Sequence, residues 1–423
     1  MIPKKSVKPV LSLAKIQAEK QADPLEKFYS GIKAQDTKDA YRKTLTDFLF
    51  LVEDFTGTYE NRTVQFAKLA KKDPDKTKQL LQAYAIYLKE RVQLPTSNPQ
   101  YLNPTTVPNK FKGIKKFLKM NEIPIAWAII ESTFPEINNS RQTRGYTTEE
   151  IRHILDYTTD AITEFLILAE SSSGIRVGAW EDQVWGNIRP IYEVGAGVYT
   201  HDIAKANADS RIICASMVVY DKTSSKYVGL ISIEAWDKLQ VVKKQWTEHF
   251  GREPAPEDQL ILNRSKKPFT RNGVRNKLNK VILRSGVQKH MKKDERNYEV
   301  PLTHGFRKRW NKIMSEQKIN EDSHANLIRK ERLFGHKTGV TKLDNSYFFS
   351  EIEESIQQYL QAMPELMISE EYRAKRKLAL VQDENRHLER TIKEKDNALL
   401  MIEQLRAKIE RIEKHGDPCY IKA

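Results

Sequence analysis

From Pro24 to about Pro135 apolar residues recur at helical spacing, in Tyr41-Leu45-Phe48-Leu51, in Leu80-Leu81-Tyr84-Tyr87-Leu88 and in Val107-Phe111-Ile114-Phe117-Leu118. Residues three and four apart share one helix face, so each set predicts an amphipathic helix and the three together a small helical bundle. The pattern stops in Ile137 to Thr143, INNSRQT, a polar and irregular stretch that reads as a linker. It resumes at Tyr146-Thr147-Thr148-Glu149-Glu150, a helix start with Thr147 or Thr148 as the N-cap. Between Ser216 and Ile233 the period changes, and two β-rich runs flank the polar turn Asp221 to Ser225, which predicts a hairpin. The segment from there to about Pro364 is again mostly helical. The expected fold is therefore mainly α with a small antiparallel β-sheet, and an alternating strand-helix nucleotide fold is not expected.

The end of the chain differs in kind. From about Glu371 to Lys414 there is no glycine or proline, and Leu378, Val381, Leu388, Ile392, Leu399, Ile402 and Ile409 fall close to a heptad register with Asn385 at a core position. Lys395 and Arg406 also land on that seam, and Leu405 and Ile412 drift off it. A coiled coil that dimerises through residues 378–412 and a long solvated helix are the two readings. The expected divisions are a basic N-terminal arm (1–23), a helical unit (24–143), a mixed unit (144–365), the long helix (366–415) and a short tail (416–423).

Charge narrows the class of partner. Among 423 residues, 71 Lys and Arg stand against 56 Asp and Glu, a formal surplus of +15 that favours a polyanion, with DNA or RNA first. No apolar run reaches the roughly 18 residues of a spanning helix, and the opening MIPKKSVKPV lacks a signal-peptide core, so no membrane role and a cytoplasmic location are expected. The two cysteines, Cys214 and Cys419, support neither a disulfide framework nor a cysteine-rich zinc site. Lys110, Lys112, Lys115 and Lys116 punctuate the helix around Phe111 and make either a solvated or a phosphate-binding face.

Chemistry-bearing residues concentrate in the mixed unit. The apolar run Phe165-Leu166-Ile167-Leu168 leads into Ser171-Ser172-Ser173-Gly174-Ile175-Arg176, a small glycine-containing turn that lets a phosphate approach an arginine. Lys222 and Lys226 flank the hairpin turn. In Pro301-Leu302-Thr303-His304-Gly305-Phe306-Arg307 a histidine and an arginine three apart share a helix face. Leu333-Phe334-Gly335-His336 brings a second histidine, and Tyr347 follows in Asp344-Asn345-Ser346-Tyr347-Phe348-Phe349. Each of these alone is more often structural. There is no G-x-x-x-x-G-K-[ST] loop, H-E-x-x-H helix or G-x-S-x-G elbow, so ATPase, zinc-protease and serine-hydrolase readings lack their minimum parts.

The order of these pieces resembles the tyrosine recombinases, or phage-type integrases, whose pattern runs arginine, hairpin lysine, histidine-x-x-arginine, glycine-histidine, tyrosine. Carried over residue by residue, the resemblance implies a catalytic set of Arg176, Lys222, His304, Arg307, His336 and Tyr347, with Lys226 the alternative hairpin lysine. It covers about Tyr146 to Leu360, and the first helical unit matches the family's core-binding domain in length and position. The stretch from His336 through Glu351-Ile352-Glu353-Glu354 to Tyr359 looks like the archaeal branch. Two departures stand out. The acid usual three positions after the first arginine is Ala179, with Glu181 as substitute, and the histidine-to-tyrosine interval is longer than the common one.

The resemblance implies a recombinase acting on double-stranded DNA, as a tetramer on two duplexes, with neither metal nor ATP. Two guanidiniums would stabilise the charge that develops on the phosphate, His304 would take or position the phenol proton, His336 would bind a phosphate oxygen, and Lys222 would protonate the leaving 5′ oxygen. Relaxation of DNA in the manner of a type IB topoisomerase, and a DNA-binding protein that keeps the fold without the chemistry, are the alternatives.

Overall fold

The computed structural model describes residues 23–136, 143–195, 197–205, 210–263, 265–291, 294–317, 322–336 and 352–415. The chain divides between Arg141 and Gln142 into two compact units. The N-terminal arm up to residue 22, residues 137–142 of the expected linker and the tail from residue 416 lie outside the described residues.

The first unit consists of α1 (Pro24–Ser30), α2 (Gln35–Leu49), α3 (Tyr59–Lys72), α4 (Pro74–Gln93), α5 (Val107–Met120) and the short α6 (Trp127–Glu131). Its helix starts are encoded locally. Asp23 and Asp73 each precede a proline at the first helical position, and their carboxylates accept from the backbone N–H of Leu25 and Lys76. The predicted apolar faces meet in one core of Leu45, Phe48, Leu81, Tyr84, Leu88, Phe111, Ile114, Phe117 and Leu118, with Phe66 stacked on Phe117 at 5.7 Å. Burial of each such side chain stabilises the unit by about 1.5–3 kcal/mol. Leu51 departs from the expected pattern and is exposed, because α2 ends two residues earlier at Leu49. Of the four lysines read around Phe111, Lys110 pairs with Asp47 at 2.8 Å, and Lys115 pairs with Glu131 and lies over the Trp127 ring. Those two are already neutralised by their own unit, which leaves Lys112 and Lys116 for the phosphate-face reading.

The second unit runs α7 (Thr148–Asp156), α8 (Ala161–Ser173), β1 (Ile188–Gly195), β2 (Val198–Thr200), β3 (Arg211–Val219), β4 (Tyr227–Ser232), α9 (Ile233–Phe250), α10 (Arg271–Arg284), β5 (His290–Met291), β6 (Asp294–Tyr298), α11 (His304–Glu316), α12 (Ser323–Leu333), α13 (Ile352–Leu366) and α14 (Glu370–His415). Thr147 is the N-cap of α7 and forms a reciprocal capping box with Glu150. The fold is mainly helical with a small antiparallel sheet. The expected hairpin is β3–β4, in register from Cys214 opposite Ser232 to Val219 opposite Tyr227. It forms half of a four-stranded sheet of order β2-β1-β3-β4.

Two apolar layers share this unit. One gathers Phe165, Leu166, Ile167 and Trp180 with β3, β4, α9 and α10, and the other packs Trp310, Phe334, Tyr359 and Met363 under Ile191, Ile213 and Leu230 of the sheet. Helix α8 is buried at 11 of its 13 positions, its polar Thr163, Glu170 and Ser171 to Ser173 included. Helix α14 is the opposite case. Its first turn is tied down where Tyr372 donates to Asp237 at 2.7 Å. Further along, Leu378, Val381, Leu388, Ile392, Leu399, Ile402 and Ile409 all remain 47–60% exposed. No helix among the described residues is long and apolar enough to cross a membrane.

Candidate active site

Helix α8 ends where Gly174 takes a left-handed conformation (φ +60°), and any side chain there would strike the Trp310 ring at 2.8 Å. The chain then turns, and Arg176 emerges exposed at the start of a single 3₁₀ segment, Val177–Asp182. The small residues read from sequence as permitting phosphate approach also permit Trp310 to pack behind them. Its Nε1 donates to the Ser172 carbonyl at 3.0 Å.

Helix α11 begins at His304, and one turn along Arg307 is only 4% exposed. Its guanidinium donates to the Gly174 carbonyl at 2.5 Å and to the Phe334 carbonyl at 2.9 Å, and stands 3.1 Å from His336 Nε2. Three of its five N–H groups are thus committed to protein acceptors. Its carbon centre lies 3.4 Å from the centroid of the Phe334 ring, which stacks on Trp310 at 4.9 Å. A buried charge must be matched by hydrogen bonds, and this one is matched by two carbonyls from distant segments. Arg307 therefore fastens the α8 turn, α11 and the Leu333–His336 turn to one another. Burial, with Arg176 nearby, pushes its guanidinium down to about 10. Partial desolvation, then the neighbouring cations Arg307, Lys308 and Arg176, push the His304 imidazolium below its ordinary value.

Gly335 is the second position where glycine is required. It has φ +66°, and a Cβ there would enter the Tyr227 ring at 2.4 Å. The turn presents His336 with Nε2 toward Arg307 and Nδ1 at 2.5 Å from the Glu331 carboxylate, which also pairs with Lys330 at 3.1 Å. An open cleft of about 700 Å³ is lined by Arg176 and His336 from this side and by Tyr220, Thr223 and Ser225 of the hairpin turn from the other, with Arg271 at the start of α10.

The expected residues are thus brought together unequally. Arg176, His304, Arg307 and His336 converge, although they lie up to 160 positions apart in the chain. Lys222 sits in the hairpin turn, exposed, while its neighbours line the cleft. The alternative Lys226 pairs with Asp221 at 2.6 Å, whereas Lys222 has no hydrogen-bond or ion-pair partner among the described residues. Tyr347 lies in residues 337–351, outside the described residues. Two other nearby tyrosines are held as phenols. Burial pushes Tyr227 up to about 12, and Tyr359, fully buried, donates to the Ser172 carbonyl at 3.0 Å. Ala179 is buried, and Glu181 stands 3.9 Å from Arg271.

Three residues of the site carry no signal in the sequence reading. Tyr220 takes a left-handed backbone (φ +55°) where the hairpin turns, a conformation costly for an aromatic residue and a frequent mark of functional sites. Arg271 is visible only as one cation among many, and Glu331 only as one acid in a mixed-charge run. No cluster of His, Cys, Asp and Glu suited to a metal occurs among the described residues.

No family model matches the sequence, and no curated protein matches it. Solved structures do. A lambda integrase dimer bound to a COC′ core site is 14% identical over 73% of this chain and 94% of its own, with a TM-score of 0.40. The Tn1549 transposon integrase in complex with transposon right-end DNA is 14% identical over 75% and 98%, also at 0.40. The XerH site-specific recombinase in a post-cleavage complex with a palindromic difH substrate is 14% identical over 66% and 72%, again at 0.40. These neighbours are recombinases and integrases. At such scores the likeness carries no argument about the reaction of this chain, which has to be read from its own residues.

Proposed function

We propose that this chain cuts and rejoins DNA through a 3′-phosphotyrosine formed by Tyr347, as a site-specific recombinase that uses neither metal nor ATP. The observation that supports this reading is that Arg176 and His336 line one open cleft beside the hairpin turn, with Arg307 in contact with His336 behind it and His304 within the same group of cations. A phosphodiester under attack gains charge on its non-bridging oxygens, and two guanidiniums, the fastened Arg307 and the exposed Arg176, stabilise that charge. His304, whose partial burial and then neighbouring cations disfavour its charged form, is available to accept or position the phenol proton. Lys222 protonates the leaving 5′ oxygen, and His336 binds a phosphate oxygen. The energy of the broken bond is kept in the phosphotyrosine ester, so religation runs the same parts in reverse.

A nicked duplex that loses a short fragment bearing the freed 5′ hydroxyl on cleavage tests the reading. The wild-type chain is expected to become covalently attached to it, and Tyr347→Phe to give no adduct. Absence of the adduct with wild type, or its persistence in Tyr347→Phe, sinks the assignment.

Assembly belongs to the same proposal. Double-stranded DNA is the partner, bound through the +15 surplus and therefore salt-sensitively, and four copies act on two duplexes. The exposed apolar seam of α14 supports self-association through 378–412. Sedimentation of a chain ending at Leu366 is expected to give a smaller species than the full chain, and equal sizes remove that role. The finer placement in the archaeal-like branch rests on the sequence between His336 and Tyr359 alone.

A further inference from the structure

We propose that Glu331 is a positioning residue for His336: it holds the imidazole's Nδ1 proton and so fixes Nε2 as a hydrogen-bond acceptor on the Arg307 side of the ring. The inference rests on the reading of the cleft as a phosphodiester site.

The argument is one of hydrogen counting. Arginine carries five donors and no acceptor, so where Arg307 Nη2 stands 3.1 Å from His336 Nε2 the nitrogen of the ring must supply the lone pair. A neutral imidazole bears one proton, which then sits on Nδ1 and faces the Glu331 carboxylate 2.5 Å away. A second bond fixes the geometry, because the backbone N–H of His336 donates to the Glu331 carbonyl at 3.0 Å. Glu331 and His336 are thus joined through both main chain and side chain. The Phe334 ring packs edge-on against the imidazole at 4.6 Å and closes off its rotation. Together with His336, the buried Lys330, paired with Glu331 at 3.1 Å, holds the Glu331 carboxyl below its ordinary value despite its burial.

The consequence concerns the reaction. With its Nδ1–H held by Glu331, the ring is kept in one orientation at the cleft, with Nε2 on the Arg307 side. Orientation of this kind is supplied by a group that never touches the substrate; at metal-binding histidines, losing such an outer partner costs roughly ten- to a hundredfold.

Nitrogen-15 shifts of histidine-labelled full-length protein read the tautomer directly, the His336 signal being the one lost in His336→Gln. The wild-type ring is expected to be protonated at Nδ1 and bare at Nε2, and Glu331→Gln to lose that single tautomer. On the nicked duplex, Glu331→Gln is expected to slow adduct formation by about tenfold or more with its affinity for the same DNA unchanged, and Glu331→Asp to recover part of the rate. A wild-type ring protonated at Nε2, or an adduct rate unchanged in Glu331→Gln, overturns the inference. If wild type forms no adduct, the phosphotyrosine reading fails instead, and the nitrogen shifts still judge the Glu331–His336 pair by themselves.

Discussion

Arg307 and Lys222 stand on opposite kinds of structure. Arg307 is buried, donates to two backbone carbonyls and a histidine, and has an aromatic stack beneath it. Lys222 is exposed at the tip of a hairpin, with no polar partner among the described residues. The difference matches what the proposed reaction would ask of each. A charge that stabilises a transition state works best when its orientation is complete before the substrate arrives, whereas a group that delivers a proton to a departing oxygen needs reach and freedom. The wall is preorganised and the hairpin is not.

The sharpest way to break this comparison is at the two arginines. Arg307→Ala removes the cation and leaves the Gly174 and Phe334 carbonyls without their donor in a buried site. Each such orphan costs about 1–3 kcal/mol, so thermal unfolding is expected to drop by a few kcal/mol together with loss of the covalent adduct. Arg176→Ala, at an exposed residue, is expected to leave unfolding within about 0.5 kcal/mol of wild type while slowing adduct formation roughly 10²- to 10³-fold. Equal stability losses in the two variants would show that the wall is not fastened by Arg307.

A smaller effect is expected on the hairpin. Lys222→Ala is expected to slow cleavage by about 10²-fold, with the deficit closing on a substrate whose leaving atom is sulfur in place of oxygen and needs no proton. Lys226→Ala removes only a surface ion pair with Asp221, worth about 0–1 kcal/mol, and should cleave like wild type. The reverse ranking of the two lysines would move the acid to Lys226 and remove the contrast between wall and hairpin as drawn here.

The parts of this site legible in the sequence were those with a local rule behind them. Helical spacing located α2, α4 and α5, and the run Thr147-Thr148 before Glu149-Glu150, read as a capped helix start, located the start of α7. The pair of β-rich runs around Asp221 to Ser225 located β3 and β4. Strands β1 and β2 were missed for physical reasons. Strand β1 carries Pro190 and has only two fully buried positions, Ile188 and Ile191, so its alternation is faint, and β2 is three residues long. The candidate residues were found by order along the chain, which says nothing of their surroundings. Only the fold reveals that Arg307 is a structural fastener as well as a cation, that Lys226 is already paired, and that Glu181 faces Arg271. Glu331 was invisible because its role depends on a tautomer, which has no signature in composition or spacing.

The smallest effect on the reaction is expected at Glu170, within the same wall. It sits on the fully buried face of α8, its carboxyl accepting from Trp180 Nε1 at 3.1 Å, and burial pushes it up to about 8 from an ordinary value of 4.5. Because the folded value lies above the unfolded one, the folded chain holds a proton that the unfolded chain releases. Stability is therefore full below about pH 4.5, declines as pH rises from there to about 8, and is flat above that. Glu170→Gln keeps an acceptor for Trp180 and has nothing to ionise, so its unfolding free energy should lose this slope. Relative to wild type it should gain an amount on the order of a few kcal/mol at pH 8. Since Glu170 lies beneath the Arg176 turn and not in the cleft, the adduct rate at pH 7 should stay near wild type. A wild-type stability that is level between pH 5 and 8, or a Glu170→Gln chain with the wild-type slope, means that Glu170 is ionised in place, and the wall beneath Arg176 then holds a charge that its packing does not reveal.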